Sequence, residues 1–175
     1  MTNLAEYAPG PAHAVQVRKD GEMWTLILVR ELRHRPVKVW QALTDPAQLR
    51  EWAPFEVDGV LDTAGAIVKL TWVATGSVTE AQVTQSDAPR VLELQNMRWE
   101  LESVGAGTRL RLWHSIPPRY IAWGAAGWHI CLDVLDRMLA DDPIGRIVGA
   151  DAMKSGGWQG LVAEYAKQFG VEQTK

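Results

Sequence analysis

The sequence predicts an α+β domain in which a curved antiparallel sheet wraps around one long helix near the C-terminus, with a small-molecule cavity between the two. Large apolar side chains recur at the spacing of one helix face, at Trp128, Cys131, Leu132, Leu135 and Leu139. Upstream, consecutive segments of alternating apolar and polar residues are separated by short turn signals, which is typical of an antiparallel sheet. Because an amphipathic helix cannot bury its apolar stripe alone, we expect the sheet to supply the surface on which it lies.

The composition is that of an ordinary globular domain. The 175 residues are 47% hydrophobic and 22% charged, and a chain of this length forms one domain that buries about 70% of its unfolded surface. The net charge of −3 argues against a nucleic-acid-binding protein, which usually gathers a basic excess on one face. Nine tryptophans against two phenylalanines predict broad aromatic surfaces in the interior.

The cysteine content and the lack of long apolar runs favour a cytoplasmic protein. The single cysteine, Cys131, rules out a disulfide within the chain and permits a reducing compartment. No apolar run approaches the roughly 18 residues of a membrane span. The N-terminal residues lack the basic and apolar regions of a signal peptide, so we expect neither a membrane span nor a cleaved leader.

The N-terminal part is predicted to form an arm and a β-hairpin. Residues 1–12 are small, polar or proline and predict an irregular arm. Residues 13–22 predict an extra N-terminal strand that ends in the turn signal Asp20-Gly21, and the return strand follows over 23–33.

Two short helices are predicted between this hairpin and the rest of the sheet. Pro36 suits the first turn of a helix. Asp45 can cap a second helix that begins at Pro46, holds Trp52 and stops at Pro54. Two short helices between two strands are an unusual insertion.

The remainder is predicted to be an antiparallel meander followed by helices, all within one domain over 1–175. Turn-forming residues separate the strand segments 55–61, 66–74, 78–86, 90–97, 98–104 and 108–116. The long helix is predicted over 120–140. Residues 141–175 form an additional C-terminal helical segment, with an amphipathic pattern from Trp158 to Phe169.

Several stretches, in order along residues 23–140, together resemble one protein family. They are Val29-Arg30-Glu31-Leu32, Pro36-Val37-Lys38-Val39-Trp40-Gln41-Ala42-Leu43-Thr44-Asp45-Pro46, Leu49-Arg50-Glu51-Trp52-Ala53-Pro54, Gly107-Thr108-Arg109-Leu110-Arg111-Leu112 and Gly127-Trp128-His129-Ile130-Cys131-Leu132-Asp133-Val134-Leu135. The chain resembles the activator of heat-shock protein 90 ATPase homologue-like family, within the START-like (SRPBCC, Bet v 1-like) superfamily.

The resemblance implies a helix-grip fold. Such a fold has a seven-stranded antiparallel sheet gripping a long C-terminal helix, with two short helices after the first long strand. Members commonly bind lipids, sterols, polyketides or plant hormones between sheet and helix. The extra strand and the segment 141–175 depart from the family pattern. We expect this tail either to cover part of the sheet or helix or to form a homodimer interface.

A sheet bent around a helix leaves a volume that either side chains or a ligand must fill. Two alternatives stay open: the residues expected to line this volume bind a ligand, or their rings fill it as core. These predicted ligand-binding residues are Trp52, Trp72, Trp99, Leu112, His114, Trp128 and Leu132.

Four polar or reactive groups need a separate interpretation. His114, on the apolar face of the last strand, is either a proton shuttle, a polar anchor for a ligand or a structurally hydrogen-bonded histidine. His129 and Asp133 are one helical turn apart and predict a surface pair. An inward Arg30 would hold an anionic ligand head, whereas at the rim it would form an ion pair. Cys131 lies beside the apolar stripe and is predicted to be buried and inert.

No catalytic or metal-binding motif is present in the sequence. It contains no HExxH, CxxC, P-loop or GxSxG pattern. We therefore predict no catalytic residues, no metal site and no cofactor.

The sequence favours a non-enzymatic protein that binds a small hydrophobic or aromatic molecule. One alternative is an enzyme of the polyketide cyclase or aromatase kind, with His114, and Glu93 or Arg30, transferring protons in the same cavity. Another is a protein that acts as a chaperone partner or stress-response partner, of the heat-shock-protein ATPase activator type. Nucleic acid is not an expected partner.

Overall fold

The computed structural model of the protein describes residues 7–172. Residues 1–6 of the predicted arm and residues 173–175 of the predicted tail lie outside the described residues.

One antiparallel sheet runs through the described part of the chain in the order β1-β2-β8-β7-β6-β5-β4-β3. Its eight strands are the seven implied by the resemblance plus the extra N-terminal strand, so the predicted helix-grip architecture is confirmed. The strands are β1 (Gln16–Asp20), β2 (Met23–Leu32), β3 (Phe55–Asp58), β4 (Ile67–Trp72), β5 (Val78–Asp87), β6 (Val91–Leu94), β7 (Met97–Val104) and β8 (Gly107–Ile116).

The helices lie between β2 and β3 and after β8. They are α1 (Pro36–Thr44), α2 (Pro46–Trp52), α3 (Ile121–Leu139), α4 (Ala150–Lys154) and α5 (Trp158–Phe169), and the short 3₁₀ helix Pro118–Tyr120 leads into α3. Asp45 ends α1 and also caps α2, since its carboxylate accepts a hydrogen bond of 3.0 Å from the Ala47 amide. No helix among residues 7–172 is long and apolar enough to cross a membrane.

The sheet is strongly curved. Trp72 on β4 stacks on His114 of β8, with ring centroids 5.8 Å apart, although three strands separate β4 from β8 in the sheet. A register shift in β5 between Val83 and Gln85 adds local bend and twist. The concave face therefore brings residues from distant strands together in front of α3.

Helix α3 is buried on more than one side. Its sheet-facing side chains Trp128 and Leu132 are almost fully buried, and so is His129 on the predicted polar face. Helix α5 and the N-terminal arm cover that second side. The prediction that His129 and Asp133 form a surface pair is therefore wrong: the two side chains are neighbours, but the tail and the arm bury the histidine.

Candidate functional site

Six aromatic side chains form a continuous chain of ring contacts across the concave interior. In order, the rings of this aromatic chain are Trp52, Trp99, Trp128, His114, Trp72 and Phe55, and successive centroids lie 5.9, 5.4, 5.7, 5.8 and 5.3 Å apart. They come from α2, β7, α3, β8, β4 and β3. Most of the contacts are edge-to-face, the geometry that aromatic quadrupoles favour.

The inner half of the aromatic chain is packed as core. Trp52, Trp99 and Trp128 are 0%, 2% and 3% exposed, and each meets the next nearly at a right angle. The indole N–H of Trp52 donates to the carbonyl of Ala42 at 3.0 Å, so its polar atom is satisfied inside the protein. These three rings occupy the space between sheet and helix.

Beyond Trp128 the aromatic chain passes through two rings that are only partly buried, His114 and Trp72, before it ends at the buried ring of Phe55, which is 2% exposed. Trp72 and His114 are stacked nearly parallel, with 8° between their planes, and both retain solvent exposure. The indole N–H of Trp72 donates to Thr79 Oγ1 at 3.3 Å. This pair thus forms a partly open aromatic surface on the concave face.

The hydrogen bond of His114 determines its chemistry. Trp128 Nε1–H donates to His114 Nδ1 at 2.9 Å. An acceptor nitrogen carries no proton, so the neutral ring has its proton on Nε2. Burial lowers the pKa of His114 to about 4, which keeps the ring neutral at physiological pH. Nε2 has no hydrogen-bond partner among residues 7–172, so it presents a free N–H donor.

The structure brings all seven predicted ligand-binding residues to the concave side but gives them unequal surroundings. Leu112 and Leu132 are 0% and 1% exposed and, like the three inner indoles, belong to the packed core, from which Trp128 contacts His114 directly. Two open surface grooves, of about 270 and 590 Å³, lie elsewhere, and none of the seven lines either of them.

The proton-transfer partners considered for His114 do not reach it. Glu93 lies on the opposite face of the sheet, where Arg98 Nη1 and Thr84 Oγ1 donate to its carboxylate. Arg30 donates to Asp133 Oδ1 at 2.6 Å, so the predicted ion pair is present. It does not lie at an exposed rim, because the Arg30 side chain is only 14% exposed. Because Trp128 occupies the one ring lone pair, neutral His114 can donate a proton in a hydrogen bond but is poorly placed to accept one.

The sequence did not predict a second polar cluster, which joins the N-terminal arm to α3 and α5. We call it the arm network. It consists of Tyr7, Arg30, His129, Asp133 and Tyr165, linked by hydrogen bonds of 2.6 to 3.3 Å. Only the spacing of His129 and Asp133 was visible in the sequence. Their other partners lie more than 30 positions away in the sequence, and local sequence patterns do not predict contacts over such distances.

The thiol of Cys131 is buried, as predicted. It is 1% exposed, and burial raises its pKa to about 12. No group of acidic, histidine or cysteine side chains in the described part of the chain could hold a metal ion.

We expect Cys131 to be unreactive in the folded protein because thiol reagents attack the exposed thiolate. An aromatic disulfide reagent at about pH 8 should release almost no chromophore from the native protein and one equivalent after denaturation in guanidinium. Prompt stoichiometric reaction of the native protein would contradict the burial of this side chain.

Comparison with solved structures shows the same architecture in other proteins. CalU16 from Micromonospora echinospora superposes with a TM-score of 0.65 at 19% identity, over 89% of this chain and 95% of that one. EF2215 from Enterococcus faecalis superposes with a TM-score of 0.67 at 17% identity, over 89% of this chain and 90% of that one. DynU16, a protein in the dynemicin biosynthetic locus, superposes with a TM-score of 0.61 at 20% identity, over 69% of this chain and 49% of that one. At these identities the likeness shows the fold alone.

The sequence itself matches one family model. No curated protein matches the chain. The model described as Activator of Hsp90 ATPase homolog 1-like protein matches residues 33–140, which is more than half of the 175 residues. The match covers α1, α2, strands β3 to β8 and α3. The chain therefore belongs to the Activator of Hsp90 ATPase homolog 1-like family and has its helix-grip fold.

Proposed function

We propose that the protein binds a small aromatic or hydrophobic molecule against the partly exposed pair Trp72 and His114 of the aromatic chain. The observation that carries this proposal is the stacked, partly exposed pair whose histidine presents an Nε2–H donor. The ligand class that fits is a planar apolar molecule with a carbonyl or other hydrogen-bond acceptor. Because the inner indoles are packed as core, the ligand is held against the exposed part of this pair.

Binding without chemistry agrees with the state of His114. A neutral imidazole whose lone pair is engaged by Trp128 can orient a ligand oxygen but does not act as a general base. The acidic and basic side chains that an enzyme would need are engaged in ion pairs away from it. The histidine therefore serves as a polar anchor in an otherwise apolar site.

The test uses two probes that differ in one acceptor. We expect 2-acetylnaphthalene to quench tryptophan fluorescence saturably and to give a single-site isotherm in calorimetry. We expect 2-ethylnaphthalene to bind about fivefold more weakly, since one hydrogen bond contributes about 1 kcal/mol. His114→Phe keeps a ring and removes the N–H. It should bring both probes to similar affinity.

A matched pair of variants locates the site. Trp72→Leu removes the stacking surface and should lower the affinity for 2-acetylnaphthalene by about tenfold. Trp113→Leu makes the same change on β8 one residue before His114, on the outer face of the sheet, and should leave affinity unchanged. Equal affinities in the two variants, or no saturable binding by the unmodified protein, would refute the proposal.

A further inference from the structure

The N-terminal arm, residues 7–15, is held against α5 by side chains rather than by a strand ladder. Its backbone amides donate in order along the helix, from Ala12 to Glu164 Oε2 (2.7 Å), from His13 to the Tyr165 hydroxyl (3.1 Å) and from Val15 to Gln168 Oε1 (3.2 Å). Gln168 Nε2 donates back to the His13 carbonyl at 2.8 Å. The arm is thus bound like an extended peptide, with its attachment concentrated in a few polar side chains.

On α3, a buried histidine completes the attachment. The Pro9 carbonyl can only accept, so His129 Nε2–H donates to it, at 2.6 Å. Nδ1 then accepts from the Tyr165 hydroxyl at 2.8 Å, and the same hydroxyl accepts from the His13 amide. The hydrogen bonds of the His129 ring and of the Tyr165 hydroxyl are all satisfied only while His129 is neutral. A proton on Nδ1 would turn the acceptor into a donor and leave the Tyr165 hydroxyl proton without its acceptor.

A second histidine, on the arm itself, lies against the first. The ring centroids of His13 and His129 are 4.8 Å apart, and His129 is buried whereas His13 is exposed. Two positive charges at this separation repel each other, and besides burial the positive charge of His129 lowers the pKa of His13. The charged and titratable groups that face this pair come from β2, α3, α5 and the arm: Arg30, Asp133, Glu164, Tyr165 and Tyr7. Asp133 Oδ2 lies 3.5 Å from His129 Nε2 and, against the larger effect of burial, acts to raise the pKa of both histidines. Its carboxylate is shared with Arg30 and Tyr7, so this one charge does not neutralise two imidazolium groups.

We propose that the arm is a pH-released strap, docked on α3 and α5 while His13 and His129 are neutral and detached when both are protonated. Detachment exposes the side chains of Glu164, Tyr165, Gln168 and His129 that bind the arm's backbone. The hydrogen bonds that hold the strap are made to α3 and α5, and none of them involves Trp72 or His114. The proposal therefore stands independently of ligand binding at that pair.

The direction of the pH effect follows from linkage. Burial lowers the pKa of His129 and of His13 from the ordinary value of 6.5, and the positive charge of Arg30 acts in the same direction. For His129 this outweighs the Pro9 carbonyl and Asp133, which raise its pKa. The docked state therefore binds fewer protons than the detached state. Docking is at full strength above about pH 6.5 and weakens as the pH falls toward the lowered values, by up to about tenfold per pH unit for each excluded proton.

Amide hydrogen exchange of the full chain, followed by NMR, tests the strap directly. The reporters are the amides of Ala12, His13 and Val15, with the β8 amide of Leu112 as an internal reference. After correction for intrinsic exchange, reporter protection should fall by up to about a hundredfold between roughly pH 7.5 and 5.5, while Leu112 stays protected. Unchanged reporters, or an equal fall at Leu112, would overturn the proposal.

Two histidine variants separate the strap from unrelated titrations. His13 is exposed, so His13→Gln is not expected to disturb folding, and it should reduce the fall in protection to about tenfold because one proton is removed. His34→Gln changes a histidine outside the arm network and should keep the full fall. If His13→Gln retains the same fall as His34→Gln, the pair of histidines is not the switch.

Discussion

Replacing Trp99 by alanine is expected to lower the free energy of unfolding by about 3–5 kcal/mol. Trp99 is the second ring of the aromatic chain, is 2% exposed and contacts both Trp52 and Trp128 edge-on. Its removal leaves a cavity that neither neighbour can fill without losing its own packing. Guanidinium denaturation measures the loss, as a lower midpoint with an unchanged slope.

The same substitution on the other face of the sheet provides the control. Trp113 is partly exposed on β8, and its neighbours in the strand, Leu112 and His114, face the interior. Trp113→Ala is expected to lower the free energy of unfolding by about 1 kcal/mol. Similar losses at positions 99 and 113 would show that the interior rings are not the centre of the core.

Breaking the ion pair between β2 and α3 is expected to have a comparable effect. Arg30→Met should lower the free energy of unfolding by about 3 kcal/mol, because it leaves the Asp133 carboxylate, only 22% exposed, without its cation. In the double variant Arg30→Met/Asp133→Leu the orphaned charge is absent, so much of the loss should be recovered. Thermal and chemical unfolding of the unmodified protein, the two single variants and the double variant measure the coupling free energy between Arg30 and Asp133.

A neighbouring ion pair of equal length separates the effect of burial from that of charge. Arg109 and Glu31 lie 2.6 Å apart but are 34% and 60% exposed, and water screens their attraction. Arg109→Met should therefore change stability far less than Arg30→Met. If the two substitutions cost the same, or if the double variant is no more stable than Arg30→Met alone, partial burial of Asp133 does not determine the strength of the pair.

Most of the fold was predictable because its signals are local. Alternation placed Val68 and Leu70 on the buried face of β4, and the Asp45-Pro46 pair ended one helix and began the next, as the structure has them. Strand ends were less predictable. The segment predicted over 55–61 contributes only Phe55–Asp58 to the sheet. The strand ends at Gly59, whose φ of +132 favours glycine and whose backbone lies so close to Val68 that a Cβ would not fit.

For the candidate site, the sequence predicted which side chains face the interior but not how they are arranged there. Periodicity identified which side chains face inward, and all seven predicted residues do so. It could not show that Trp52, Trp99 and Trp128 fill the interior while Trp72 and His114 remain partly open, since that depends on ring packing between six separate elements. Nor could it show that Trp128 donates to His114 and so determines which of its nitrogens carries the proton.

The sequence by itself determined the element order, the faces of the strands and the amphipathic stripe of α3, because hydrophobic period and turn chemistry act over a few residues. The tertiary structure alone decided the surroundings of the polar groups. His129 and Asp133 have the spacing of an exposed helical pair, yet Pro9, Tyr7 and Tyr165 close over them. Burial is a property of the whole packed chain, so a side chain's charge state and partners follow from segments far away in sequence.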